Sequence, residues 1–490
     1  MRREELSDDF IRSMQSLLGE AGSCRLIEAM STESPVSIRL NPWKTCREEA
    51  AGLEHVAWSD LGFYLPTRPS FTRDPLFHAG CYYVQEASSM FIEQAVRRYL
   101  SDRPLTVLDL CAAPGGKSTH LRSLLPEGSL LICNEVVPNR AAVLAENMVK
   151  WGHPDVIVTR NEPKDFSHLT GLFDAVVVDA PCSGEGMFRK EPVAVSDWSQ
   201  QAVEMCAERG RQILDAVWPA LKVGGIMIYS TCTYNLRENE DNVSYLCEEL
   251  GAEPLTIDDE GEAVGSGRLR LPGSRLPVYR FFPHRVRGEG FSLAVVRKTA
   301  SMESAKTYEE RSKDVRRKEL IRTKKNEKHQ GKSRETSGGD LPVLKTWMRT
   351  SDDYLLLPQA GGEVSAFPRR HLPTLSRLEG LHILLAGTGV ASPRGKEYAP
   401  LHSLAMSRLI RREAFENVEL DYNQSISYLR GEVVLLPDST RRGTVLLTYQ
   451  GTPIGFARNV GRRANNLYPA SWRIRSTYTV AEQVQVLRRR

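Results

Sequence analysis

Between Thr106 and Val296 short apolar runs alternate with longer stretches in which apolar positions recur every three or four residues. The short runs, Val107 to Leu110, Ser129 to Cys133, Val156 to Thr159, Phe173 to Asp179 and Ile226 to Ser230, are rich in Val, Ile and Leu and lack polar alternation. That pattern predicts strands buried on both faces. The intervening stretches, Asn139 to Lys150, Gln200 to Ala220 and Glu238 to Leu250, predict helices, and another runs from about Glu86 to Tyr99. Strands and helices in this alternation predict a doubly wound, mostly parallel α/β sheet. Two late strands, Val278 to Phe282 and Phe291 to Val296, are joined by a glycine-bearing turn and predict an antiparallel edge.

The flanks read differently. From Leu6 to Met30 apolar positions at helical spacing are broken at Gly19 and Gly22, which predicts a helical pair, and Val36 to Leu40 and Phe63 to Leu65 predict short strands. A small α+β module is expected over 1–75 and the α/β unit over 76–299. Residues 300–340 turn to Lys, Arg, Glu, Ser and Thr with few apolar side chains, a charged linker or solvated helix. Apolar strands return in 341–490, at Tyr354 to Leu357, His382 to Ala386, Val433 to Leu436 and Val445 to Tyr449, and predict a separate β-rich domain. No internal repeat is present.

A chain of 490 residues is long enough for two or three such units. Its 65 Lys and Arg against 61 Asp and Glu give a net charge of +4, a mild excess that permits a polyanionic partner without demanding one. No window holds about eighteen uninterrupted apolar residues, and the opening MRREELSDDF has acids where a signal peptide has its apolar core. A soluble cytoplasmic protein without membrane contact is expected. The nine cysteines are odd in number and scattered, so reduced thiols are the simplest reading. The ten histidines show no HxxxH or Cys/His cluster, and no metal is expected.

Chemistry gathers at the ends of the predicted strands, where open α/β sheets bind ligands. The first strand enters CAAPGGK, Cys111 to Lys117, whose glycines allow a ligand to approach the backbone, and the second ends at Asn134 and Glu135. An acid about twenty residues beyond a glycine turn is where a nucleoside-binding fold holds ribose hydroxyls. The loop is neither GxGxxG nor GxxxxGK, so a pyrophosphate is not the first choice of ligand. The fourth strand ends at Asp179 and is followed by Cys182; the fifth is followed by Cys232. Alone, each would read as a capping Asp or a buried structural Cys. As ends of neighbouring strands, they predict two thiols and a carboxyl facing one cleft. Carbon 5 of a pyrimidine becomes nucleophilic when a thiolate adds to carbon 6, a carboxyl at ring nitrogen 3 absorbs the developing charge, and a second thiol assists release. Arg39 and Asn41 in SIRLNP are candidate RNA contacts, against the plainer reading of solvated surface groups.

Several of these stretches together resemble the Nop/Sun family of S-adenosylmethionine-dependent RNA cytosine carbon-5 methyltransferases. They are VQEASSM, CAAPGGKSTHL, NE at Asn134 and Glu135, DAPCSGEGMFRK, YSTCTYNLRENE, RFFPH and GEGF. The Glu185-Gly186 extension, with YAPLHSLAM, SYLRGE and RRANNLYPASWRI, is similar to the branch acting on bacterial 16S ribosomal RNA. The resemblance implies a Rossmann-like class I methyltransferase sheet and a PUA-like C-terminal domain that binds RNA. It implies Cys232 as nucleophile, Cys182 for product release, and Asp179 and Lys117 to steady the cytosine ring. It implies that S-adenosylmethionine lies against Cys111, Ala112, Ala113, Pro114, Gly115, Gly116, Lys117, Asp179 and Glu135. A further contact falls at Asn161 or Glu162. Arg458, Arg462, Arg463, Tyr468, Trp472 and Arg473 suit phosphate contact and base stacking. Two readings stand beside the favoured one: methylation of transfer RNA, and a catalytically silent ribosome-assembly factor that binds RNA.

Overall fold

The structure is a computed structural model that describes residues 5–257, 268–269, 276–299, 341–395, 397–461, 463–475 and 483–489. The charged stretch 300–340 and Arg462 lie outside the described residues.

The first described element, α1 (Asp8–Met30), is the expected helical pair, two helices joined across a non-helical residue. Ser7 caps it, its Oγ accepting the Phe10 N–H at 3.2 Å. The predicted break is a kink at Gly19, where φ is +72°, while Gly22 stays helical. The buried face of α1 meets the loops of the α/β unit: Phe10 lies 5.1 Å from the Phe188 ring and 5.6 Å from that of Trp198. Next come β1 (Val36–Leu40), β2 (Glu54–His55), β3 (Gly62–Leu65) and β4 (Tyr82–Val84), in sheet order β2-β3-β1-β4. Arg39 and Asn41 are both buried here, so neither is a surface RNA contact in this structure. Arg39 donates to Gln85 Oε1 and Thr119 Oγ1, each at 2.7 Å, and stacks over Trp151. Asn41 Nδ2 bonds the carbonyls of Gly80 (2.8 Å) and Trp151 (3.0 Å). A buried cation must be tied down by hydrogen bonds, and these ties rivet the module to the α/β unit.

The central sheet contains β5 (Thr106–Asp109), β6 (Leu130–Asn134), β7 (Val156–Thr159), β8 (Phe173–Asp179), β9 (Leu221–Thr231), β10 (Ala252–Leu255), β11 (Arg268–Leu269), β12 (Tyr279–Phe281) and β13 (Phe291–Lys298). Strands β7-β6-β5-β8-β9 run parallel, and β13 joins β9 antiparallel, followed by β12 and β11, with β10 on β13. Successive side chains feed opposite cores: Val107, Leu131 and Ala175 face one, Leu108, Ile132 and Val176 the other. That is why these strands read as continuous apolar runs. The winding reverses between β5 and β8, which opens the ligand crevice at their carboxyl ends.

The C-terminal region adds β14 (Tyr354–Pro358), β15 (Val364–Pro368), β16 (Ile383–Ala386), β17 (Thr388–Arg394) and β18 (Glu397–Pro400). Strands β14-β15-β17-β18 form one antiparallel sheet. The run at His382 to Ala386 does not stay with them; as β16 it pairs antiparallel with β7 of the central sheet. Gly387 makes the step from β16 to β17 at φ +71°, where a Cβ would lie 2.2 Å from the Ala366 carbonyl oxygen. The last sheet, β19 (Glu416–Glu419), β20 (Val434–Leu435), β21 (Gly443–Tyr449), β22 (Thr452–Asn459) and β23 (Arg463–Asn466), has the order β19-β21-β22-β23-β20. It shares a hydrophobic cluster with the N-terminal sheet, in which Ile38 and Leu40 meet Tyr428 and Leu447. Tyr468, a stacking candidate from its sequence, is instead buried in this cluster, 5.1 Å from His402 and 5.4 Å from Tyr428. Arg463 and Arg473 are exposed.

Candidate active site

The crevice begins where β5 ends. Leu110 N bonds Val177 O at 2.9 Å and Ala112 N bonds Asn134 O at 2.8 Å, so the loop starts as a continuation of the sheet. Gly115, at φ +113°, then turns the backbone into the helix Gly116–Leu124. The loop's outer carbonyls are anchored: Arg140 donates to Ala113 O (3.0 Å) and Asn147 to Pro114 O (2.8 Å). Asp109 is fully buried beneath the loop, one oxygen accepting from Ser118 Oγ at 2.6 Å and the other, Oδ1, without a partner. Burial pushes its carboxyl up to about 7, and the Asp179 and Glu135 carboxylates add to the rise. Glu135, at the end of β6, is buried; its Oε1 accepts the Val137 N–H at 3.0 Å and Oε2 lies 3.4 Å from Arg140. Helix-terminal amides, an acid with spare acceptor capacity and an orphaned buried carboxyl oxygen suit an aminoacyl nucleoside such as S-adenosylmethionine. Asn161 is committed elsewhere, its side chain bonding both backbone groups of His382, and Glu162 is exposed.

Opposite this loop stand the ends of β8 and β9, paired in register with Asp179 beside Ser230. Ser230 Oγ donates to Asp179 Oδ1 at 2.7 Å, and Lys117 Nζ, from the helix after β5, lies 2.9 Å from Oδ2. Burial opposes the charge on Lys117, but Asp179 outweighs it and raises its pKa; the ammonium also sits 5.1 Å from the centre of the Phe291 ring. The loops beyond carry the two thiols to a Sγ–Sγ distance of 3.1 Å. Hydrogen bonding to Cys232 and burial together push the Cys182 thiol well above its ordinary range, so Cys182 is a proton-bearing thiol.

Two carboxylates that carry no obvious catalytic role hold these loops in register. Glu185 is fully buried: Oε2 accepts from Thr233 Oγ1 (2.6 Å), Tyr234 N (2.7 Å) and Asn235 N (3.0 Å), and Oε1 accepts from Trp198 Nε1 (3.0 Å). Gly186 N also bonds Cys232 O at 2.9 Å. Glu238 accepts from Ser183 N (2.9 Å), Ser183 Oγ (2.5 Å) and Asn235 Nδ2 (2.7 Å), and burial pushes it up to about 7. Glu185→Ala leaves several buried donors unpaired and is expected to cost about 3 kcal/mol or more of stability, read as a lower thermal midpoint, with Glu185→Gln much milder.

Between the two halves lies a cavity of about 400 Å³. Cys111 to Pro114, Gly116, Lys117, Asp179 and Cys232 line it, together with Tyr83, which lies outside the motifs singled out in the sequence, and with Gln85 and Met187, which lie within VQEASSM and DAPCSGEGMFRK but carry no role in the sequence reading. Cys182, Glu135 and Glu162 do not line it. Asp109, Ser230 and Phe291 were within legible stretches but gave no local signal of their own. The Glu185 and Glu238 anchors had one: acids standing within a few residues of each cysteine.

Comparison with known proteins bears on the same regions. Residues 101–297 match the family described as 16S rRNA methyltransferase RsmB/F, residues 6–87 the N-terminal domain of 16S rRNA methyltransferase RsmF, and residues 415–474 the methyltransferase RsmF PUA domain. The chain is 30% identical over 479 residues to ribosomal RNA small subunit methyltransferase F of Aliivibrio fischeri, covering 95% of this chain and 97% of that one. It is 29% identical over 485 residues to the Vibrio cholerae protein of the same name, with the same shares covered. A methyltransferase homolog protein from Pyrococcus horikoshii superposes with a TM-score of 0.52 at 27% identity, over 61% of this chain and 100% of that one. NSun6 from Pyrococcus horikoshii with SFG shares the fold, with a TM-score of 0.52 at 19% identity over the same shares.

Proposed function

The chain belongs to the RsmB/F family of S-adenosylmethionine-dependent RNA cytosine-C5 methyltransferases, and from that premise we propose that its substrate is 16S ribosomal RNA and that Cys232 is its nucleophile. The observation that carries the assignment of roles is the placement of the sulfurs. Cys232 lines the cavity together with Lys117 and Asp179, whereas Cys182, 3.1 Å from it, does not. When bound against Cys111 to Lys117 and Glu135, S-adenosylmethionine supplies the methyl group.

The chain's own residues do the rest. Cys232 adds through Sγ to carbon 6 of the cytosine, and Asp179 faces ring nitrogen 3, absorbing the charge that the addition creates. Lys117 and Ser230 keep that carboxyl oriented, and Lys117 balances its charge. The developing enamine makes carbon 5 nucleophilic. After carbon 5 is methylated, a solvent water takes its proton, the electron pair left behind closes the carbon 5–carbon 6 double bond and expels the Cys232 thiolate, and the Cys182 thiol protonates the departing sulfur across the short sulfur–sulfur contact. A ring attacked from below must be unstacked, so the target cytosine is single-stranded or extruded. No helix among the described residues is long and apolar enough to cross a membrane. A ribosomal substrate supports a cytoplasmic location.

The test is methyl transfer from tritium-labelled S-adenosylmethionine to 30S subunits, deproteinised 16S RNA and bulk transfer RNA, offered separately with Cys232→Ala as control. Label in 5-methylcytidine of 16S RNA, absent with the control, is the expected result. Label confined to transfer RNA would move the substrate and keep the chemistry. No label in any RNA, with cofactor still bound, would favour the silent RNA-binding factor.

A further inference from the structure

The helix Pro138–Trp151 has its first turn at the cofactor loop, through Arg140, and its last residue in a second cavity of about 770 Å³. At about 1.5 Å per residue, its 14 residues put the two roughly 20 Å apart. Three parts of the chain wall this cavity: Trp43 and Lys44 come from the N-terminal module, Trp151 and Gly152 from the α/β unit, and Arg408, Arg412, Gln450 and Arg488 from the C-terminal region.

Its charge is unbalanced. Five cations line it, Lys44, Arg408, Arg412, Arg488 and Arg489, against the acids Glu48 and Glu49. Glu49 is taken by Arg489 at 2.5 Å, and Arg408 is drawn to Glu127 at 3.1 Å. Among the described residues, Lys44, Arg412 and Arg488 form no ion pair at salt-bridge distance, although Glu413 favours the charge on Arg412; Lys44 Nζ rests on two carbonyls, of Lys150 at 2.6 Å and Ala79 at 2.8 Å, and Arg412 donates to that of Gly451 at 3.1 Å. Burial pulls Lys44 down to about 8, and the nearby Arg412 pulls the same way. Crowded cations that outnumber their counter-charges favour an anionic occupant. Trp43 adds a large aromatic ring, held 4.7 Å from His153, and Gln450 adds a side chain able to both donate and accept. Volume, charge and ring suit one nucleotide with its phosphates and are too small for a duplex.

We propose that this junction cavity holds a nucleotide of single-stranded substrate RNA away from the target cytosine, with Arg412 and Arg488 on its phosphates and Trp43 against its base. The proposal rests on the reading that RNA is the substrate. It makes all three parts of the chain one binding surface, so that the N-terminal module and the C-terminal region read RNA jointly rather than as separate attachments.

The test is the affinity of the full chain for a fluorescent single-stranded oligoribonucleotide of mixed sequence, measured over a potassium chloride series. Arg412→Ala combined with Arg488→Ala should weaken binding about tenfold and flatten the log–log salt slope by about 1.4, or ~0.7 per lost phosphate contact. Trp43→Ala should weaken binding about fivefold or more with the slope unchanged, as loss of stacking does. Glu48→Gln, which removes a negative charge from the rim, should tighten binding, a gain that misfolding cannot produce. Unchanged affinity and slope in the double variant would overturn the proposal. So would adenosine monophosphate competing as well as the oligonucleotide, which would make the cavity a free-nucleotide site. Binding is read without methylation: a wild-type chain that methylates 16S RNA while the variants bind normally sinks only this inference. Label confined to transfer RNA sinks the 16S assignment and leaves the cavity standing.

Discussion

Cys232→Ala should transfer no methyl group and capture no RNA, while Cys182→Ala should accumulate a covalent protein–RNA adduct that survives denaturing electrophoresis. Both sulfurs sit at 3.1 Å from each other, so distance alone does not separate their roles. Exposure to the cavity does. Cys232 lines the space where a base would lie. Cys182 does not line that space, and its hydrogen bond to Cys232 and its burial push its thiol well above the ordinary range. Without Cys182, addition to carbon 6 and methylation still proceed, but departure of the Cys232 thiolate loses the neighbour that assists it. The adduct should require S-adenosylmethionine for its full yield and should be absent from the double variant. Adduct from Cys232→Ala, with none from Cys182→Ala, would exchange the two roles.

The next largest loss is expected at Asp179. Its carboxyl lines the cavity and is held from both sides, by Lys117 at 2.9 Å and Ser230 at 2.7 Å. Removing an acid–base group placed in this way lowers the rate by about 10²–10⁴-fold, so Asp179→Ala should fall in that range in a single-turnover assay. Ser230→Ala removes one orienting hydrogen bond and should cost about tenfold, in line with ~1–1.5 kcal/mol for such a bond. Cofactor binding, measured by equilibrium dialysis, should change little in Ser230→Ala, whose hydroxyl bonds the side chain of Asp179. A Ser230→Ala enzyme as slow as Asp179→Ala would mean that the hydroxyl itself contacts substrate.

The sheet was legible because burial on both faces leaves a plain signature: five apolar runs, which pair in parallel so that their carboxyl ends lie on one side of the sheet. Cys182 and Cys232 could be placed together from the adjacency of their strands alone. Arg39 could not be placed, because a buried arginine and a solvated one look alike until its partners Gln85 and Thr119 are known, and both lie far along the chain. Tyr468 misled in the opposite direction: an aromatic among arginines suggests stacking, yet it packs against His402 and Tyr428. The C-terminal strands were read incompletely because β22, TPIGFARN, carries a Pro and a Gly that argue against a strand, although pairing with β21 and β23 satisfies its backbone. Residues such as Glu185 act through hydrogen bonds to a loop some fifty positions away, and local pattern does not encode that.

The strand β16 has a meaning beyond its place in the sheet. By pairing with β7, a segment that follows the charged stretch 300–340 covers what would be an open parallel edge of the central sheet. Such an edge, lined by Val156 to Thr159, is a template for adhesion to other chains. A fragment ending at Thr299 would therefore carry every cavity-lining catalytic side chain and yet expose a sticky flank. Recombinant catalytic cores cut at that point should aggregate, whereas the full chain, in which β16 covers the edge and β17 covers β15, should stay soluble.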